Sequence, residues 1–162
     1  MHFNPPSVLV IDSRLRTQLQ RSLRAVHPEE GCALIIGHTL NNHQWQVDSI
    51  WPCCNVWKTI TNDISSRLGP CIEKDVSADR STRFAVDPRE QLAAQIWARD
   101  HKLSVFGVAH SHPDGEAIPS PYDLDWGLVD SLFIIQSKAG HQTAWWLDQN
   151  RYASEIGIYQ SI

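Results

Sequence analysis

The sequence lacks a long apolar run, an extended basic segment and any internal repeat. No apolar stretch in the 162 residues approaches the roughly 20 residues needed to span a bilayer; the longest, 33–36 and 132–135, are strand-sized. The formal net charge is −4 and positive charges are not clustered. Neither nucleic acid nor an anionic membrane is therefore indicated as a partner.

The chain is also poor in paired cysteines. It has four cysteines and no Cys-x-x-Cys motif, which argues against a disulfide framework and against a cysteine zinc knuckle. We expect Cys32, in an apolar run, to be buried. Cys53 and Cys54 could bind a metal with His43, but a structural role is favoured. Because the first residues lack the features of a secretory signal, we expect a cytoplasmic protein.

The length fits a single domain, residues 1–162, with helices packed on a sheet. Apolar residues at helical spacing after Asp12 predict one helix, and Asp87-Pro88 begins a second. The residues expected to form the buried face of that second helix are Leu92, Ala93, Ile96 and Trp97. Strands are predicted at 31–37, 45–51, 103–109, 131–136, 143–147 and 152–158. This pattern predicts an α/β sandwich whose sheet is mostly antiparallel.

Residues 52–82 do not follow this pattern, because they show no sustained helical or strand period. A loop of this length inside one domain is usually functional or disordered. We interpret it as an insertion into the domain.

The most informative feature is His110-Ser-His112, separated by seven residues from Ser120 and followed by Asp123. The two histidines are two positions apart at the end of a predicted strand, so their side chains point to the same face. A turn after Pro113 allows Asp123 to return to the same point. Two imidazoles and one carboxylate leave a fourth tetrahedral position open, as in catalytic zinc sites. Zinc lowers the pKa of water in that position from 15.7 to about 7.

Hydrolysis would need further groups. Glu30 precedes a buried strand and could act as general base, with Glu29 as the alternative. Ser120 could donate a hydrogen bond to a developing oxyanion. Ser120-x-x-Asp123 is also an ordinary helix capping box, and an aspartate in that position can still offer an oxygen to zinc. A nucleobase deaminase is excluded, since neither His-x-Glu nor Pro-Cys-x-x-Cys is present.

In combination, these residues resemble the JAMM (MPN+) metallopeptidases, and the small prokaryotic members in particular. The matching segments are Glu30-Gly-Cys-Ala-Leu-Ile-Ile-Gly and His110-Ser-His-Pro-Asp-Gly-Glu-Ala-Ile-Pro-Ser-Pro-Tyr-Asp. The resemblance spans about residues 8–135 and implies a cytidine-deaminase-like α/β sandwich. It implies one Zn²⁺ held by His110, His112 and Asp123, with Glu30 catalytic and Ser120 stabilising the oxyanion.

The resemblance also implies a partner. Its substrate would be a ubiquitin-like protein or a sulfur carrier of the ThiS/MoaD kind, cleaved after the C-terminal glycine. The tail would lie between segment 52–82, which often contacts substrate in this family, and the 113–119 loop. One difference is Ala33, where members often have glycine after the cysteine. The alternatives are a non-catalytic scaffold that binds ubiquitin-like partners, and a zinc hydrolase of a small molecule or dipeptide.

Overall fold

A sheet that closes on itself carries the candidate site. The computed structural model describes residues 5–57 and 79–161. The strands are β1 (Val8–Asp12), β2 (Cys32–Asn41), β3 (Gln44–Cys53), β4 (Ser104–Ser111), β5 (Ser131–Gln136), β6 (Gln142–Leu147) and β7 (Ala153–Ser161). The helices with described bounds are α1 (Ser13–Arg24), α2 (Pro88–Asp100) and α3 (Pro121–Trp126).

The strands follow the order β1-β3-β2-β4-β5-β6-β7, and β7 pairs with β1 to complete a barrel. The pairs β2–β3, β2–β4, β5–β6 and β6–β7 are antiparallel. The pairs β1–β3, β1–β7 and β4–β5 are parallel. The predicted α/β fold with a mostly antiparallel sheet is therefore confirmed. Its closure was not predicted, and among the seven described strands it leaves no outer strand unpaired.

Helix α1 begins where predicted. The Asp12 carboxylate accepts a hydrogen bond from the backbone N–H of Arg14 at 2.6 Å and caps the helix. Leu19 and Leu23, one turn apart, are buried in the main core cluster with residues of the strands. The helix thus packs its apolar stripe against the sheet, as its periodicity indicates.

The predicted buried face of α2 was wrong. Leu92 is 58% exposed and Ile96 is 43% exposed, whereas Ala94 and Ala98 are buried against the β2 side chains Leu34 and Ile36. Small side chains allow the helix to approach the sheet closely, so the alanine face packs inward. Large apolar side chains indicated the opposite face, but the short distance between the helix and the sheet decides which face is buried. Ala93, also predicted to be buried, is exposed, and Trp97 is half-buried.

Most of the predicted insertion at 52–82 falls on residues 58–78, outside the described residues. Its two flanks meet: Asn55 pairs with Val86 in an isolated β-bridge, and the Val56 N–H donates to the Ala85 carbonyl at 2.9 Å. Among residues 5–57 and 79–161, no helix combines the length and apolarity needed to cross a membrane.

The parallel pairing of β4 with β5 depends on a glycine. A Cβ placed on Gly107 would lie 1.6 Å from the Leu132 carbonyl oxygen, so Gly107→Ala must separate the strands. We expect it to lower the free energy of unfolding by roughly 3 kcal/mol or more. At Gly157 the nearest atom is 3.5 Å away, so Gly157→Ala serves as control and should change stability by less than about 1 kcal/mol. Urea unfolding measures both; equal losses would contradict this account.

Candidate metal centre

The pairing of β2 with β4 brings the glutamate and the histidine motif together. Cys32 lies opposite His110 in the antiparallel register. One residue further, the Gly31 N–H donates to Ser111 Oγ at 2.9 Å, and the Ser111 N–H donates to the Gly31 carbonyl at 3.0 Å. Glu30 comes immediately before Gly31 and precedes β2, at the sheet end where the histidines lie. The predicted juxtaposition therefore follows from strand register.

Asp123 is delivered by the first turn of α3. Ser120 is the N-cap, and both halves of a capping box are present. The Asp123 N–H donates to Ser120 Oγ at 3.1 Å, while Ser120 N–H and Oγ donate to Asp123 Oδ2 at 2.7 and 2.8 Å. The box thus holds the carboxylate in one orientation. The capping and site interpretations of these two residues are compatible.

The three candidate ligands converge on one point. His110 Nε2 lies 3.1 Å from His112 Nε2 and 3.1 Å from Asp123 Oδ1, and His112 Nε2 lies 3.3 Å from Asp123 Oδ2. A tetrahedral zinc ion with bonds of about 2.0–2.1 Å separates its ligand atoms by about 3.3–3.4 Å. The observed spacings match that edge length, so these donors fit a zinc ion.

Contacts with residues outside the cluster orient the imidazole rings of His110 and His112. His112 Nδ1 is 2.8 Å from the Glu116 carbonyl oxygen, which can only accept, so Nδ1 carries a hydrogen. Nε2 therefore faces the cluster, where it donates to Asp123 when protonated and can bind a metal when it is not. The His110 ring stacks on Phe84, with centroids 4.5 Å apart and planes inclined by 22°. Its Nδ1 is buried and has no hydrogen-bond partner among the described residues. Stacking therefore does most to hold His110.

The negative charge of the buried Asp123 carboxylate favours a cation at the three-residue cluster. Burial by itself would raise the pKa of Asp123, but hydrogen bonds from His110 and His112 outweigh it and hold that pKa well below its usual range. Burial would likewise lower the pKa of His112, yet hydrogen bonds to Asp123 and the Glu116 carbonyl raise it. The carboxylate stays ionised in a buried position, which favours a positive charge beside it.

Glu30 and its neighbour Glu29 differ in how deeply their carboxyl groups are buried. Glu30 is buried, and burial raises the pKa of its carboxyl to about 8, with His112 and Arg83 lowering it and Asp123 raising it. Glu29 is 43% exposed and lies 3.8 Å from Arg80. Of the two candidates for general base, only Glu30 is thus buried and under the influence of the cluster's charges.

Several aromatic residues around the cluster were not predicted. Trp57 packs edge-on against Tyr122 with centroids 5.5 Å apart, and Tyr122 stacks with Trp126 at 6.0 Å. The Arg83 guanidinium lies 4.2 Å above the Tyr122 ring. Tyr122 lies inside the Ser120-x-x-Asp123 motif, so its proximity could have been inferred; Arg83 and Phe84 precede α2 without any pattern that marks them.

The alternative cysteine site is not formed. In the described part of the chain, His110, His112 and Asp123 form the only group of three or more potential ligands close enough to share a metal. Burial raises the pKa of the Cys53 thiol to about 12, which makes the thiolate that binds a metal harder to form. Cys32 is buried as predicted.

Comparison with known protein families shows which domain family the sequence matches. The sequence profile of Prok-JAB, the prokaryotic homologues of the JAB domain, matches residues 12–148. The chain belongs to the Prok-JAB family. This match confirms the predicted resemblance to JAMM/MPN+ proteins as a family relationship. The matched range of this JAB domain includes every candidate site residue.

Individual relatives of the JAB domain are more distant. A desampylase from Pyrococcus furiosus is 34% identical over 79 residues, which is 46% of this chain and 54% of that protein. The match thus spans about half the length of this relative. The solution structure of protein DSY2949 from Desulfitobacterium hafniense superposes with a TM-score of 0.73 at 20% identity, covering 94% of this chain and 92% of the other. A Salinibacter ruber protein gives 0.59 at 25% identity, covering 92% and 90%.

Metal content tests the ligand set. We expect about one zinc per chain in the wild type and in His43→Ala, which removes an exposed histidine remote from the cluster. His112→Ala removes one of three donors and should weaken zinc binding by at least about 10²-fold. Elemental analysis and competition with a chromophoric chelator measure both quantities. Equal affinity in the wild type and His112→Ala would contradict the assignment.

The buried carboxyl of Glu30 predicts a pH-dependent cost in metal-free protein. Its folded-state pKa of about 8 lies above the ordinary 4.5. The folded state therefore holds the proton more tightly, and stability is lost as pH rises from about 4.5 through 8. Glu30→Gln removes this loss, so its stability advantage should grow over that interval, to at most about 5 kcal/mol at 1.36 kcal/mol per pKa unit.

Thermal unfolding in the presence of a chelator, from pH 4.5 to 8.5, checks this expectation. Glu29→Gln is the matched control, because it makes the same substitution at the neighbouring glutamate, whose side chain is 43% exposed. An advantage of Glu30→Gln that is the same at pH 5 and pH 8 would refute the assigned environment.

Proposed function

We propose that this protein is a zinc-dependent peptidase or isopeptidase of the JAMM type. The observation that carries the proposal is the convergence of His110, His112 and Asp123 within 4.8 Å, at the same sheet end as the buried Glu30. In this proposal residues 1–162 form one JAMM domain, with 52–82 as an insertion. The family match on both sides of that segment supports this organisation.

The proposed roles follow from the chemistry of each side chain. Zinc held by His110, His112 and Asp123 would supply Lewis acidity, which polarises a carbonyl and acidifies water near neutral pH. Glu30 takes a proton from the attacking water as its oxygen bonds to the scissile carbonyl carbon. It then delivers that proton to the amine nitrogen as the C–N bond breaks. The products are a carboxylic acid and a free amine.

Ser120 is proposed to stabilise the oxyanion. Its hydroxyl donates to Asp123 Oδ2 at 2.8 Å in this structure. A hydroxyl rotates readily, so the same group can donate to a substrate oxygen next to Asp123. The Ser120 backbone N–H keeps its own bond to Asp123 Oδ2 at 2.7 Å and would hold the carboxylate during that change.

A protein substrate is favoured over a small molecule by the surface next to α3. Ile118, 61% exposed, and Trp126, 54% exposed, lie on either side of the turn that carries Asp123. Large apolar side chains exposed on both sides of a site are available to contact a macromolecular substrate, and a continuous patch of them would be typical of a binding surface. The similarity to the Pyrococcus desampylase supports a ubiquitin-like substrate, and we extend this to sulfur carriers with the same tail chemistry.

The loop between the histidines and Ser120 forms one side of the proposed tail groove. The Trp145 indole N–H donates to the Ala117 carbonyl at 3.1 Å, and the Lys138 N–H donates to the Gly115 carbonyl at 2.9 Å. These contacts fix the loop on β5–β6, so this wall is pre-organised. A flexible Gly-Gly tail could then lie along it with its last carbonyl at the cluster.

Cleavage of a fusion tests the proposal. The substrate is a folded ThiS-like or ubiquitin-like protein extended beyond its C-terminal glycine, with a free peptide of the same junction for comparison. We expect the wild type and Glu29→Gln to cleave the fusion, and Glu30→Gln to lose at least about 10³-fold in kcat while retaining zinc. Mass spectrometry of the products gives the cleaved bond.

The other outcomes favour the alternatives. Cleavage of the free peptide as fast as the fusion would favour a small-substrate hydrolase. Zinc binding and carrier binding without any cleavage would favour a non-catalytic scaffold, although such scaffolds usually lack part of the ligand set that is complete here.

A further inference from the structure

We propose that Asn55 is a positioning residue for Glu30: its side-chain amide fixes the main chain from which the general base projects. The proposal rests on the function proposed above. Asn55 follows β3, 25 residues after Glu30 in the chain, in a stretch where the sequence shows no periodic pattern. Its side chain is half-buried between three segments of backbone.

The donor half of the amide faces carbonyl groups. Asn55 Nδ2 donates to the Glu30 carbonyl at 3.0 Å and to the Arg83 carbonyl at 2.9 Å. A third contact, to the Arg80 carbonyl, is 3.5 Å and correspondingly weak. The two hydrogens of the NH₂ group are therefore matched by two good acceptors on different segments.

The acceptor half faces backbone N–H groups. Asn55 Oδ1 accepts from the Trp57 N–H at 3.1 Å and from the Ala85 N–H at 3.2 Å. One side chain thus uses both of its donors and both lone pairs of its oxygen on main-chain partners. Such a fully used amide fixes the relative position of the segments that it joins.

Glu30 is held on both sides of its Cα by this arrangement. Its carbonyl accepts from Asn55, and its N–H donates to the Arg80 carbonyl at 2.7 Å. The following residue, Gly31, is tied to Ser111 of the histidine motif. The direction in which the Glu30 side chain leaves the main chain is therefore set by these contacts, and Asn55 supplies the one to the Glu30 carbonyl.

The same amide connects the base to the metal side of the centre. The segment bonded through Arg83 and Ala85 carries Phe84, whose ring stacks on His110 at 4.5 Å. Displacing this segment would move Glu30 and the support of His110 relative to each other. General base catalysis is sensitive to such changes, since a displacement of about 1 Å can cost about 10²-fold in rate.

Other side chains do not reproduce these contacts. Asn55→Asp keeps the size but loses both donors and directs a carboxylate at carbonyl oxygens. Asn55→Ala leaves the Glu30 carbonyl and the Ala85 N–H without this partner. The matched control is Asn41→Ala. Asn41 also makes two amide hydrogen bonds, to Gln44 and His43, but at the exposed β2–β3 turn.

The first test compares kinetics on the carrier fusion. We expect Asn55→Ala and Asn55→Asp to lower kcat by roughly 10²-fold, with KM changed by less than about threefold. Zinc should stay near one per chain at saturating metal, because His110, His112 and Asp123 all remain. Asn41→Ala should stay within about twofold of wild type. An unchanged kcat in both Asn55 variants, or a loss confined to KM, would overturn the positioning role.

The second test asks whether Asn55 acts through Glu30. If it does, Asn55→Ala should reduce the residual kcat of Glu30→Asp by less than about threefold, because the base is already misplaced. A full additional loss of about 10²-fold in the double variant would show that Asn55 acts independently of Glu30, and would overturn the proposal.

The third test needs no activity and uses metal-free protein. Amide hydrogen exchange at Glu30 and Ala85 should accelerate at least about tenfold in Asn55→Ala, while Ile134 and Ile135 of β5 keep their protection. Equal acceleration in β5 would indicate general destabilisation and overturn the proposal, as would unchanged exchange at Glu30. A wild type that cleaves no fusion would instead refute the proposed function, and the exchange result would still decide whether Asn55 holds Glu30.

Discussion

The antiparallel pairing of β2 with β4 is the constraint on which the rest of the site depends. A strand register admits steps of whole residues, so once Cys32 is opposite His110, the position of Glu30 relative to the histidines is determined. The reciprocal hydrogen bonds between Gly31 and Ser111 extend that register one residue beyond the regular ladder. A slip of one residue would turn Glu30 to the opposite face.

Burial of two carboxylates at one sheet end has an electrostatic cost that the structure offsets unequally. Asp123 is surrounded by donors from His110, His112 and Ser120, so it remains ionised. Glu30 is buried with weaker compensation, so its proton is held more tightly. Two groups of the same chemical type are thus given different proton affinities by their neighbours, which is the usual basis for dividing acid–base and ligand roles.

The sequence predicted features whose determinants are local. Strand periodicity located β2, β4 and β5, the Ser120-x-x-Asp123 capping box marked the start of α3, and the spacing from His110 to Asp123 matched a known motif. The inward face of α2 was predicted incorrectly, because the choice between Ala94 and Leu92 depends on how closely the helix approaches β2. Asn55 and Phe84 could not be assigned to the site, since their contacts join segments that are distant in sequence and lack periodicity. Closure of the sheet was missed because the pairing of β1 with β7 joins segments that are distant in sequence.

The closing seam between β1 and β7 joins the first and last described strands, with Asp12 opposite Ser161. During synthesis, all residues of the candidate centre therefore leave the ribosome before the strand that completes the sheet. Until β7 pairs, β1 and β6 each present an open edge, which is the kind of surface that promotes intermolecular strand pairing. The protection that closure gives against strand pairing between molecules is therefore gained only after the strands that carry the candidate centre have been synthesised.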